Sequence, residues 1–356
     1  MNGILKTIKV LLAALLIFQG PALGAKEVRI GTTYSPHQSG YLGMDWKKTY
    51  LAVLDEGFDI VRLGAYWSEI EKEKDIYDFS SLDWQIKEAK KRGIPVVLTV
   101  GMKVPRWPEF FIPEWIEKDI RTPRGGEVSR NEVLQTRTLR FIAETVVRYM
   151  EEDAIGYWQV ENEPLNRFGE KNWRIDRDFL GKEVDLVRKL DRRKRPIMLT
   201  AATYPNVFLR GLITLSLGYD PVKEIINMSD IVGLNVYPHI GYKLWGRNLY
   251  FKTGHTERDK YFRRLFDEIK KNGRDVWIAE LQAEPWEPGH LAYKEKAEPI
   301  TASPEETESF LEEFEELGAS TILLWGAEYW VYRMKVHGDK KWIDIMREAR
   351  GLKIKK

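Results

Sequence analysis

The stretch AIGYWQVENEP (154–164) decides how the rest of the chain is read. It opens as an apolar and aromatic run suited to a buried strand, then ends in Glu161, Asn162 and Glu163 ahead of a proline. Two acids and an amide are costly inside a core unless something there uses or pairs them. The end of this strand is therefore where polar chemistry is expected.

Seven other runs have the same character. VRIGTTY (28–34), FDIVRLG (58–64) and PVVLTVG (95–101) precede it; PIMLTAA (196–202), DIVGLNVY (230–237), DVWIAEL (275–281) and STILLWG (320–326) follow. Amphipathic patterns lie between them, among them DWKKTYLAVLDEG, SLDWQIKEAKKRG, RTLRFIAETVVRYMEE and TESFLEEFEELG. Several open on Asp or Ser and close on Gly, as helix caps do. Eight strand–helix units predict an α/β chain folded as one (β/α)8 TIM barrel over residues 26–356, its parallel strands buried on both faces. A doubly wound sheet is disfavoured, because no GxGxxG or phosphate loop follows any strand.

Such a barrel carries its chemistry where the strands end and in the loops that follow. Arg62 lies within the second strand, Asn162 and Glu163 end the fourth, and Tyr237 ends the sixth. Glu280 sits near the end of the seventh and Trp325 closes the eighth. One cation, two carboxylates, an amide, a phenol and an indole thus converge on one rim. Glycoside cleavage needs an acid for the departing oxygen and a carboxylate for the oxocarbenium-like carbon. Glu163 and Glu280 are the candidates, on strands that face each other across a barrel mouth.

Composition narrows the alternatives. With 56 basic against 54 acidic residues the net charge is +2, which gives no reason to expect a nucleic-acid partner. There is no cysteine, so disulfides and thiolate metal sites are excluded. The five histidines, at 37, 239, 255, 290 and 337, show neither HxH nor HExxH spacing, and no metal or organic cofactor is expected. Residues 1–25, MNGILKTIKVLLAALLIFQGPALGA, combine Lys6 and Lys9 with a nine-residue apolar run and then small residues. That is the pattern of a signal peptide, with an uncleaved membrane anchor as the alternative, and it predicts a secreted, extracellular protein.

The residues also carry a resemblance. Asn162-Glu163-Pro164 after the fourth strand and a glutamate ending the seventh are similar to clan A retaining glycoside hydrolases. The segment 55–101, with Trp67-Ser68, Tyr77-Asp78-Phe79 and Leu82-Asp83, resembles family 42 and family 35 β-galactosidases between strands two and three. KVPRWPEF (103–110) is similar to the Pro-x-Trp loop of the former, and QVENEP to the QxENE motif of the latter. The resemblance implies a carbohydrate substrate, Glu163 as general acid/base and Glu280 as nucleophile. It also implies that Asn162 binds the sugar 2-hydroxyl and that Arg62 and Tyr237 hold Glu280 ionised. Cysteine metal clusters, frequent in family 42, have no counterpart among these residues, and the extra C-terminal domains of that family are not expected within 26–356.

Further expectations concern the aromatic residues and the spare acids. Trp325 is expected to floor the sugar site, with Trp67 and Trp107 as substrate contacts. The loops 102–135 and 238–254 carry Phe110, Phe111, Trp115, Tyr242 and Trp245 as possible stacking platforms, while Trp46, Trp84, Trp173 and Trp342 read as packing. Glu161 reads as a supporting acid, and Glu284 and Glu328 as possible substrate contacts. The competing function is a secreted carbohydrate-binding protein on an inactive barrel; the presence of both carboxylates weighs against it.

Overall fold

The computed structural model describes residues 28–349, and the expected signal segment over 1–25 lies outside them. Eight parallel strands close into a barrel: β1 (Arg29–Thr33), β2 (Val61–Gly64), β3 (Val96–Val100), β4 (Ile155–Val160), β5 (Ile197–Ala202), β6 (Ile231–Val236), β9 (Asp275–Gln282) and β10 (Thr321–Trp325). The last pairs with the first, in register from Arg29↔Thr321 to Thr32↔Leu324, so no strand edge is left open. Every strand expected from the sequence is present, with ends shifted by three residues at most.

Helices wrap the barrel because their apolar faces match the outward face of the strands. The helix Glu132–Tyr149 buries Leu134, Phe141, Ile142 and Val146, and Asn131 caps its start by accepting from Leu134 N at 3.0 Å. The helix Pro304–Glu316 buries Phe310, Leu311 and Phe314, with Ser303 as cap. These faces and the outward strand residues form one large core.

A second, smaller core fills the lumen. Ile60, Val97, Met198, Ile231, Trp277, Ala279 and Leu323 point inward with Tyr157 packed against them. Gly233 makes room there, since a Cβ would come within 2.9 Å of both Ala279 and Thr200. Beneath this layer Arg29 is held between the rings of Tyr157 and Trp277, 5.2 and 5.0 Å from their centroids, and donates to Tyr157 Oη and Thr321 Oγ1 at 2.8 Å each.

The stretch 238–254 corrects the sequence reading. It is a two-stranded antiparallel hairpin, β7 (His239–Leu244) and β8 (Arg247–Lys252), rather than an irregular loop. Trp245 and Gly246 both have positive φ, 48° and 76°, which makes the two-residue reversal a type I′ turn. The hairpin base is pinned to β9 by reciprocal bonds between Gln282 and the His239 backbone, at 3.0 and 2.6 Å.

Candidate active site

The inward positions of the upper barrel are polar. Arg62 stands two residues beyond lumen-filling Ile60 on β2, so alternation keeps it inside the barrel. Its guanidinium is fully buried and spends three nitrogens on three strands: Nε on Thr33 Oγ1 at 2.8 Å, Nη1 on Gln159 Oε1 at 3.2 Å and Nη2 on Glu280 Oε1 at 2.7 Å. Tyr237, just past β6, donates its hydroxyl to the other oxygen, Glu280 Oε2. Both carboxylate oxygens of Glu280 are therefore fixed, one by a cation and one by a phenol.

Alternation alone would have sent Glu280 the wrong way. Trp277 and Ala279 point into the lumen, so the next residue should point out. The pairing of β9 with β6 slips at this point, from Leu234↔Ile278 to Asn235↔Glu280, an irregularity of the β-bulge kind. The extra residue turns Glu280 inward, level with Asn235, as bulges near active sites do.

Glu163 leaves β4 through an unusual backbone. Glu161 and Glu163 both have left-handed φ, 58° and 47°, a costly conformation for side-chain-bearing residues that recurs at functional sites. Glu161 is anchored by accepting from the backbone of Met102 and Lys103, at 2.8 and 2.5 Å. Gly101 permits this: with φ +124°, any Cβ there would lie 2.2 Å from the Glu161 carboxyl. Glu163 N donates to Thr200 Oγ1 at 2.8 Å, and Asn235 Nδ2 donates to Glu163 Oε1 at 2.9 Å. Burial, reinforced by the charge of Glu280, pushes the Glu163 carboxyl up to about 8, against the opposing pull of Lys103. Burial likewise raises Glu161 to about 7, and burial together with the charge of Glu161 raises the neighbouring acid Glu183.

Asn162 is buried with its Oδ1 accepting from Gln159 Nε2 and Thr200 Oγ1, both at 3.2 Å. That fixes the amide and leaves its Nδ2 with no protein acceptor among the described residues. Arg62, Asn162, Glu163, Tyr237 and Glu280 are thus brought into one connected network. Trp325 adjoins it, 5.8 Å below the Arg62 guanidinium and edge-on to Tyr237 at 6.4 Å. Its ring is mostly covered, because the Arg106 guanidinium lies 4.0 Å over it.

One expectation about the rim needs correction. Trp67 is no substrate contact: it is fully buried in the outer core, stacked on Phe141 at 5.4 Å and donating Nε1 to Glu71. Its place at the start of a helix packed against the barrel wall removes it from the mouth. Glu284 and Glu328 are already committed, both facing the buried Arg106, with Gln38 donating to Glu284 at 3.0 Å and Ser35 N to Glu328 at 2.6 Å. Trp107 is 42% exposed on the loop after β3, where a ring can meet a ligand. Trp286, 41% exposed and edge-on to Tyr237 at 5.0 Å, is a rim aromatic that sequence reasoning passed over. Asn235 was missed as well; its signal was a lone amide in the inward register of an otherwise apolar strand. Among the described residues no group of three or more His, Asp or Glu is arranged to hold a metal ion.

Comparisons with known proteins bear on the fold and on the first half of the chain. The Glyco_hydro_42 beta-galactosidase family model matches residues 33–193, a little under half the chain. The beta-galactosidase Bga of Halorubrum lacusprofundi is 25% identical over 144 residues, which is 38% of this chain and 20% of that protein. In structure, a polyextremophilic beta-galactosidase from the same haloarchaeon superposes with TM-score 0.59 at 15% identity, over 91% of this chain and 58% of the other. Xylanase 10B of Thermotoga petrophila superposes with TM-score 0.53 at 14% identity, over 84% and 82%. The chain spans a fifth of the curated relative and a little over half of the solved β-galactosidase. The resemblance read from residues 55–110 falls within the matched stretch, and the chain is a closed (β/α)8 barrel similar over residues 33–193 to family 42 β-galactosidases.

Proposed function

We propose that the chain is a retaining β-glycosidase, with Glu280 as nucleophile and Glu163 as general acid/base. The observation that carries this is the contrast between the two carboxyls. Glu280 is held on both oxygens by Arg62 and Tyr237, while burial keeps Glu163 protonated at neutral pH. In the first step a Glu280 oxygen attacks the anomeric carbon as the bond to the leaving oxygen breaks. The Glu163 proton passes to that oxygen, leaving a covalent glycosyl ester. Esterification removes the negative charge of Glu280, so the proton affinity of Glu163 falls and it becomes the base for the attacking water. Water then opens the ester with the same anomeric configuration as the substrate, and the proton returns to Glu163. Asn162 Nδ2 supplies a donor for the sugar 2-hydroxyl beside the reacting carbon.

β-Galactosides are the first substrates to try, because the matching family model and the curated relative both carry that name. The signal-like residues 1–25 support action outside the cytoplasm. The test is a panel of aryl β-glycosides and β-linked polysaccharides, with the anomeric product followed by NMR. Hydrolysis with retention, lost in Glu280→Gln, is expected; hydrolysis with inversion overturns the mechanism. Sugar binding without turnover would favour the inactive-barrel alternative.

A further inference from the structure

We propose that Glu109, on the loop after β3, is a third carboxylate of the mouth that binds a hydroxyl of the sugar held between Glu163 and Glu280, with Lys103 as its buried counter-ion. This rests on the glycosidase reading and adds the residue that selects the sugar. Lys103 is completely buried, and its ammonium joins two parts of the site: it donates to the Glu163 backbone carbonyl at 2.9 Å and pairs with Glu109 Oε2 at 3.1 Å. Glu109 thereby lies one ammonium away from the acid/base residue. Its side chain keeps 19% of its surface exposed, whereas Lys103 has none, so Glu109 is the partner that retains solvent access, while its Oε2, turned to Lys103, is buried. Burial raises the proton affinity of Glu109 against the pull of Lys103, the negative charge of Glu280 adds to it, and Glu109 in turn raises that of Glu163.

The loop is built to present this group. Lys103 and Phe110 form an antiparallel bridge, Val104 N donates to Glu109 O at 2.9 Å, and Glu109 N to Arg106 O at 2.7 Å. Glu109 takes φ 74° and Arg106 φ 99°, both in the left-handed region that side chains avoid. The loop after β4 holds it from above. A Cβ on Gly169, at φ +78°, would lie 2.7 Å from Pro108 O and 3.4 Å from Glu109 Cβ. A purely structural ion pair has no need of a carboxylate on left-handed backbone within electrostatic reach of Glu163 and Glu280. A sugar hydroxyl, by contrast, is a neutral donor that an ionised carboxylate binds strongly.

The test compares wild type, Glu109→Ala and Glu109→Gln on 4-nitrophenyl β-glycosides, and on the 3-, 4- and 6-deoxy analogues of the best of them. Losing a hydrogen bond to a charged group predicts a KM raised roughly 10- to 100-fold, with kcat far less affected. Wild type should discriminate against one deoxy analogue, and both variants should lose that discrimination. Glu109→Gln keeps the shape of the loop and reads the same way if Glu109→Ala does not fold. KM and deoxy selectivity unchanged in a folded variant, while Glu280→Gln is inactive, overturn this proposal alone. A wild type that cleaves none of the glycosides overturns the glycosidase reading and this proposal with it.

Discussion

The barrel lumen holds an arginine at each end, and the two are used differently. At the floor, Arg29 rests between Tyr157 and Trp277 and donates to two hydroxyls. At the mouth, Arg62 is fully buried and pairs with Glu280, one member of a polar layer with Thr33, Gln159, Thr200 and Asn235. Hydroxyls and ring faces satisfy a cation without placing a reactive acid beside it. A carboxylate sealed against a cation costs desolvation that packing alone would avoid. Within the lumen that cost is met at the end where the strands' C-termini gather, which is where barrels of this kind do chemistry.

The largest effect should come from the carboxylate at the mouth. Glu280→Gln is expected to lower kcat about 10⁴-fold or more on aryl glycosides while circular dichroism and melting stay close to wild type. Glu163→Ala should cost about 10²–10⁴-fold, least for the best leaving groups, which need little protonation, and azide should restore part of the rate. The two arginines then separate on stability. Arg62→Met strands a buried carboxylate and should cost about 3–5 kcal/mol along with activity. Arg29→Met loses two hydrogen bonds and two ring contacts, and should cost about 1–2 kcal/mol with turnover unchanged. Equal losses of activity in the two variants would erase the distinction between floor and mouth.

The remaining effect is a matter of pH, spread over several units. Glu163 is raised to about 8, and Glu161 and Glu328 to about 7, chiefly by burial. In the unfolded chain these acids release their protons near the ordinary value of 4.5. Between those limits the folded state binds more protons than the unfolded one. Their contribution to stability is therefore full below pH 4.5 and is lost as pH rises toward 8. Each such group contributes a slope of at most about 1.4 kcal/mol per pH unit. Denaturant unfolding at several pH values should show stability falling across this window, with a shallower fall in Glu161→Gln. Activity should also drop above about pH 8, where Glu163 no longer holds the proton it must donate.

The fold was legible because β-branched runs and capped amphipathic segments alternate at barrel spacing, and each run became a strand. The residues ending those strands were legible for the same reason: Arg62, Asn162, Glu163, Tyr237 and Glu280 all meet. What the sequence hid was local geometry. Strict alternation would have turned Glu280 outward, and only the slip between β9 and β6 brings it in. Trp67 was expected as a substrate contact, yet helix packing buries it. Lys103 and Glu109 were passed over because a loop sequence does not show which side chains its backbone folds inward. The WG turn of the hairpin was in plain view, but only the positive φ at Trp245 declares it.

The central claim is that Glu280 forms the covalent intermediate, and it can be tested directly by trapping. The protein would be incubated with an activated 2-deoxy-2-fluoro β-glycoside of the sugar it cleaves best, digested, and mapped by mass spectrometry. A single glycosyl adduct on Glu280, absent in Glu280→Gln, is expected. An adduct on Glu163, Glu284 or Glu328, or unimpaired labelling of Glu280→Gln, would contradict it.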